Sequence, residues 1–221
     1  MNLEDPLSTN YHVPKKSILF CQKAIRISEK SSDKLHDQHH LERILKNTFI
    51  FLDENQNLKI DYEILFISIC WHDVWKNNFS SNNLVKLFSN YFLDGIGSVF
   101  IFIPYTIKYK ITIKTVLGAT YAILFHPRFN ILPILSVEAK ILRDLDMLDE
   151  FSEERLIEIE KMLLEKKSTS LYFRLLKKYF DIYLKNTKEN KYHFEWTKNK
   201  FITRRKDFVD KVKLLLANNL S

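Results

Sequence analysis

The sequence has 3 glycines in 221 residues, where average usage of about 7% would give roughly 15. A chain so poor in glycine has few positions for primed hairpin turns or for the glycine-rich loops that cradle phosphates. A dinucleotide-binding fold, a P-loop fold and a many-turned β-sandwich are therefore disfavoured. Helices joined by short polar loops remain. Cysteine is scarce as well. Cys21 and Cys70 sit in apolar stretches and read as buried thiols of a reducing compartment, not as a disulfide framework. Long apolar runs are missing too. The longest uncharged stretches, Gly95 to Ile107 and Thr115 to Pro127, hold thirteen residues each, short of the ~20 that a membrane span needs. The segment from Met1 to Ser17 is polar, contains Pro6 and Pro14, and lacks the apolar centre of a secretory signal. The expectation is a cytoplasmic protein with no membrane partner.

What is present suits a globular chain. Hydrophobic residues make up 46% and charged residues 28%, and the length fits one domain with its own core. The net charge of +7 suits an anionic partner, although abundant lysine, asparagine and isoleucine give it a compositional origin as well. Apolar spacing predicts a first helix over Val13 to Lys30 and, after a polar break, a second from about His39 to Asp53. Asp61 is placed to cap a third helix reaching about Trp75. That helix is apolar almost all round, as expected for a central, buried one. Ser80 to Phe92 reads as helical. Gly95 to Thr115 is rich in β-branched and aromatic residues. It fits either a short helix followed by an extended piece or a helix that overrides strand propensity. Val116 to Phe125 is helical again. Pro133 opens a helix to about Phe151, and Ser152 caps the next. The remainder, about 152–166, 169–186 and 195–219, reads as three amphipathic helices. With no repeat, low-complexity tract or linker, the expectation is one all-α domain of about eight or nine helices over residues 1–221.

Three of the seven histidines cluster in His36-Asp37-Gln38-His39-His40, and His72-Asp73 ends the most apolar helix. Imidazole and carboxylate are costly to desolvate unless paired or bound to a metal. Asp146 interrupts an apolar helix among Ile141, Leu142, Leu145 and Leu148. Two imidazoles and two carboxylates from three helices make a mixed N/O set. Such a set suits Mn²⁺, Fe²⁺, Co²⁺, Ni²⁺ or Mg²⁺ and lacks the thiolates of a structural zinc site.

The ordered set His, His-Asp, Asp resembles the signature of the HD-domain superfamily of metal-dependent phosphohydrolases. "LHDQHHLERIL" is similar to its first motif, through His36, Asp37, His40, Leu41, Arg43 and Ile44. "ILFISICWHDVWK" resembles its apolar helix ending in His-Asp, with Lys76 where lysine is often found. "FHPRF", "EAKILRDLDMLDEF" and "RRKDFVDKV" resemble later elements, so the likeness runs from about residue 33 to 213. It is closest to small stand-alone HD hydrolases, some of which cleave nucleotides. The core motifs would span 33–151, and the helices of 152–219 would pack on them. The resemblance implies His40, His72, Asp73 and Asp146 as metal ligands. It also implies hydrolysis of a phosphoester or phosphoanhydride in a small phosphorylated, nucleotide-like substrate. Asp73 would help take the proton of the attacking water, and Lys76 and His36 would neutralise phosphoryl oxygens. Trp71 and Trp75 stand where the family has small residues, and would narrow a pocket. Phe151 stands near a family glycine.

Other residues have open readings. Asp144, about 200° round the helix from Asp146, is a group behind the ligands or a surface charge. Asp149 orients a ligand or forms a salt bridge. His126 lines the site or is a core histidine. His39 is expected to be exposed, and His12 and His193 have no supporting context. Arg204, Arg205 and Lys206 read as a solvated face, and Tyr172 to Tyr183 as core. Two alternatives keep the fold. A degenerate scaffold would bind metal, nucleotide or nucleic acid without turnover. A di-iron oxygenase would recruit His36 and His126 as further ligands.

Overall fold

A computed structural model of the chain describes residues 4–31, 35–76, 84–127, 133–165 and 191–218. Among these residues every regular element is an α-helix and there is no strand. The helices are α1 (Glu4–Thr9), α2 (Lys15–Ser28), α3 (Gln38–Glu54), α4 (Tyr62–Trp71), α5 (Leu84–Lys108), α6 (Ile113–Phe125), α7 (Val137–Asp149), α8 (Glu153–Glu165) and α9 (Glu195–Asn218). The all-α expectation holds. The helix expected over 169–186, and with it the aromatic segment Tyr172 to Tyr183, lies outside the described residues. None of the described helices is long and apolar enough to cross a membrane. The contacts divide the chain into two compact units, residues 1–146 and 147–221.

The first unit is organised around α4. Every residue from Ile64 to Trp71 is buried, and the helix lies against α2, α3 and α6. The Asp61 carboxylate accepts from the Ile64 N–H at 3.2 Å, so the expected cap is there. A partly buried polar network ties three helices together. Ser17 and Thr115 both donate to the Glu63 carboxylate, at 2.5 and 2.9 Å. Shared between two hydroxyls, that carboxylate is satisfied near the core. Cys21 and Cys70 are buried free thiols, as expected. The Cys21 thiol is pushed up from its ordinary pKa by hydrogen bonding to Cys70 and by burial, which makes it a poor nucleophile.

One expectation needs correction, and of two open alternatives the helical one holds. The polar segment before Val13 forms α1, a short helix held by Leu7, which is fully buried. The region around Gly95 to Thr115 has no extended piece. It continues α5 to Lys108, turns, and enters α6 at Ile113. Phe102 is fully buried on one face of α5, while Phe100 and Ile107 are exposed on the other. Apolar residues thus surround the helix and hide its period. Lys110 closes α5 with a φ of 52°, a left-handed conformation usually given to glycine. The Ile111 N–H bonds back to the Thr106 carbonyl and the Lys110 N–H to the Ile107 carbonyl.

The few glycines all lie on α5 and α6, where helices approach closely. A Cβ on Gly95 would stand 2.7 Å from the Ile123 carbonyl oxygen of α6, and one on Gly97 would stand 2.1 Å from the Trp75 ring. Gly118 faces Ile64 of α4 in the same way. Gly97→Ala is therefore expected to destabilise by ~1–3 kcal/mol through overpacking, read as a lower denaturation midpoint. An unchanged midpoint would show that Trp75 moves aside freely.

The second unit has its own apolar contacts. α8 packs on α9, and Phe151 meets Phe201 and Phe208 edge-on at 5.0 and 5.3 Å. Ser152 Oγ accepts from the Arg155 N–H, which confirms it as the cap of α8.

Candidate metal centre

His40 enters from the first turn of α3. Asp37 starts that helix, its carboxylate accepting from the N–H groups of His39 and His40. Asp37 is thus a capping residue, which fixes where His40 begins. His72 and Asp73 follow the last turn of α4, and Asp146 comes from α7. The four side chains converge. His40 Nε2 lies 3.4 Å from both Asp73 Oδ2 and Asp146 Oδ1. His72 Nε2 lies 3.5 and 3.7 Å from the same two oxygens. One ligand atom from each residue falls within 4.8 Å of all the others.

These separations are long for hydrogen bonds. Adjacent atoms bound at ~2.1 Å to one shared ion stand about 3.0–3.4 Å apart, and the observed spacing is close to that. His72 Nδ1 sits 2.7 Å from the Ile69 carbonyl oxygen. A carbonyl only accepts, so Nδ1 carries a proton, and Nε2 is the nitrogen turned toward the carboxylates and left to bind an ion. This is the arrangement that a metal ligand requires. His72 Nε2 and Asp73 Oδ2 are buried with no hydrogen-bond partner among the described residues. Such atoms are costly unless something else binds them, so the donor set fits a divalent cation.

A second group adjoins the first through Asp73. Asp94 of α5 and His126 at the end of α6 join it in a cluster that also has metal-ligand spacing. His126 Nε2 lies 3.5 Å from Asp94 Oδ2 and 3.7 Å from Asp73 Oδ1. Its Nδ1 is 2.6 Å from the Ile123 carbonyl oxygen, repeating the arrangement at His72. Lys76 Nζ reaches the same two oxygens, at 2.9 Å from Asp73 Oδ1 and 2.7 Å from Asp94 Oδ2.

The field of the cluster is negative. Burial alone would raise the Asp73 pKa, but His72 and Lys76 outweigh it and hold the carboxyl well below its ordinary range. Asp146 is likewise lowered against its burial, by His40 and His72. Burial would lower His126, yet Asp73 and Asp94 push it up to about 10. Each shift says that this pocket favours positive charge.

The expected ligands His40, His72, Asp73 and Asp146 are therefore brought together. Lys76 binds carboxylates and does not stand in open space. His36 rests edge-on against the His40 ring at 5.6 Å between centroids and lies outside both metal-spaced groups. His126 is a site histidine. Asp94 was not anticipated, though it interrupts an apolar run as Asp146 does. Asp144 is fully buried, which excludes a surface charge, and Asp149 pairs with Arg155 at 3.8 Å. His39 is exposed beside Glu42, as expected. Of the three, Arg204 and Arg205 are half-buried on α9 and Lys206 is exposed.

Both tryptophans next to the His-Asp pair meet side chains or backbone of other helices. Trp71 stacks on Phe20 at 4.5 Å and meets Phe102 and Tyr105, and the Trp75 ring lies over Gly97. The Trp71 ring thus belongs to helix packing. Phe151 is likewise occupied with Phe201 and Phe208. An open surface cleft lined by Tyr11, Lys59, Tyr62, Lys114 and Glu138 shares none of the cluster residues. Comparison with protein-family models, curated proteins and solved structures finds no match.

Proposed function

We propose that the protein is a metal-dependent phosphohydrolase acting on a phosphoester or phosphoanhydride of a nucleotide-like substrate. The observation that carries this reading is the convergence of His40, His72, Asp73 and Asp146 from three helices, with His72 Nε2 and Asp73 Oδ2 buried and lacking hydrogen-bond partners. The sequence order of those residues resembles that of the HD superfamily and supports the same reading.

A divalent ion in this set supplies Lewis acidity toward a phosphoryl oxygen and toward water. The protein's own groups do the rest. The Ile69 carbonyl holds the His72 imidazole, and the Asp37 cap sets the backbone from which His40 projects, so little reorganisation is needed on binding. Asp73 has one oxygen on the ligand side and one toward Lys76, and can accept a proton from water held there. Asp146 and Lys76 are the most exposed members, with side chains 17% and 14% accessible. The substrate approaches over them, and the positive charge of the chain favours that encounter.

The test is phosphate or pyrophosphate release from a nucleotide panel with Mn²⁺, Fe²⁺, Co²⁺, Ni²⁺ and Mg²⁺. Release is expected with at least one ion, and Asp73→Ala is expected to reduce it by at least ~10³-fold, since it removes a ligand and a proton acceptor together. Undiminished release by Asp73→Ala overturns the mechanism. Metal binding with no release from any nucleotide selects the binding scaffold instead.

A further inference from the structure

The second group, Asp73, Asp94 and His126, has the spacing of a cation site in its own right. It is more than a cluster of acids. His126 Nε2 is buried, faces the two carboxylates and has no hydrogen-bond partner among the described residues. The position is nevertheless taken. Lys76 Nζ lies within 3 Å of the two carboxylate oxygens that face His126.

We propose that the Lys76 ammonium is the built-in cation of this second site, so that the protein binds one divalent metal where the same cluster without Lys76 binds two. The inference rests on the metal-binding reading of the first site. Charge supports it. Asp73, Asp94 and Asp146 carry three negative charges, against which two divalent ions and Lys76 would set five positive ones. A second ion beside the ammonium would leave a buried excess of two positive charges, and such an excess is costly. Asp73 is built to serve both places, with Oδ2 toward His40 and His72 and Oδ1 toward Lys76 and His126. Lysine also does what a second metal cannot. It is tethered to the backbone, needs no supply from solution and stands at a fixed distance from the first site.

The experiment is titration of the metal-free full chain with Mn²⁺ alone, read by bound metal per chain and by electron paramagnetic resonance. The wild-type protein is expected to bind one ion with an isolated-ion signal. Lys76→Met and Lys76→Gln are expected to bind two, with a spin-coupled signal. Adding Asp94→Asn to either returns the count to one. Lys76→Arg keeps the charge and stays at one. Should Lys76→Met need metal to fold, the count is read on protein refolded with Mn²⁺. Two ions in the wild-type chain overturn the proposal, as does a single ion in folded Lys76→Met and Lys76→Gln. No ion in the wild-type chain defeats the first-site reading itself, whereas one ion throughout defeats only the role of Lys76.

Discussion

Saturating Mn²⁺ is expected to raise the melting temperature of the metal-free protein by ~5–10 °C, and Asp146→Asn is expected to abolish the rise. A ligand that binds only the folded chain stabilises it by ~2.7 kcal/mol at a hundred times its dissociation constant. For a chain of this size, 1 kcal/mol corresponds to about 2–4 °C. The unfolded chain cannot offer the same site, because the four ligands lie on three helices and are spread from His40 to Asp146. Asp146→Asn keeps the shape of the side chain and removes the charge that the ion requires. The metal-free variant will melt somewhat lower, through loss of its attraction to His40 and His72. The decisive reading is therefore the difference with and without metal. A full metal response in Asp146→Asn would mean that the ion sits elsewhere, and a chelator that fails to reverse the wild-type rise would mean that it is nonspecific.

The parts of this site legible in the sequence are those where polarity breaks a simple pattern. His72-Asp73 ends a helix with no polar face, and Asp146 stands alone in an apolar stripe, so both declare that something binds them. His40 is marked by its neighbours in "HDQHHLERIL", although the same letters gave no hint that Asp37 serves as a cap. Asp94 carries the same kind of signal as Asp146. It lies next to a stretch whose β-branched and aromatic residues suggested a strand, and burial against α6 overrides that propensity. Lys76 was legible as a site residue but not in its posture. Helix α4 ends at Trp71, so the helix expected to reach about Trp75 gives way to a turn, and the Lys76 ammonium lies on Asp73 and Asp94. The direction of Trp71 was not readable at all. Adjacent helical positions differ by about 100°, and only tertiary packing decides which of Trp71 and His72 turns to the core and which to the metal ligands.

That division of labour leads to the expectation that Trp71→Ala costs ~3–5 kcal/mol of stability while leaving the metal count unchanged in the molecules that stay folded. Trp71 is fully buried between Phe20, Phe102 and Tyr105, so truncation opens a cavity that the rigid helices around it cannot close. Against a total of roughly 5–15 kcal/mol for a folded protein, such a loss brings the chain close to unfolding at ambient temperature. Trp71→Phe behaves differently. It keeps an aromatic ring in the stack and removes an indole N–H that is buried with no hydrogen-bond partner among the described residues. The saving on that group offsets part of the lost area, and the net cost is expected to stay below ~1.5 kcal/mol, the range of tolerated hydrophobic exchanges. Chemical denaturation measures both variants, and Mn²⁺ titration of each supplies the second readout. If the ring instead crowded the metal ligands, Trp71→Ala would bind Mn²⁺ more tightly than the wild-type protein and lose little stability. That pair of results would place Trp71 at the metal centre and overturn its assignment to the packing of α2, α4 and α5.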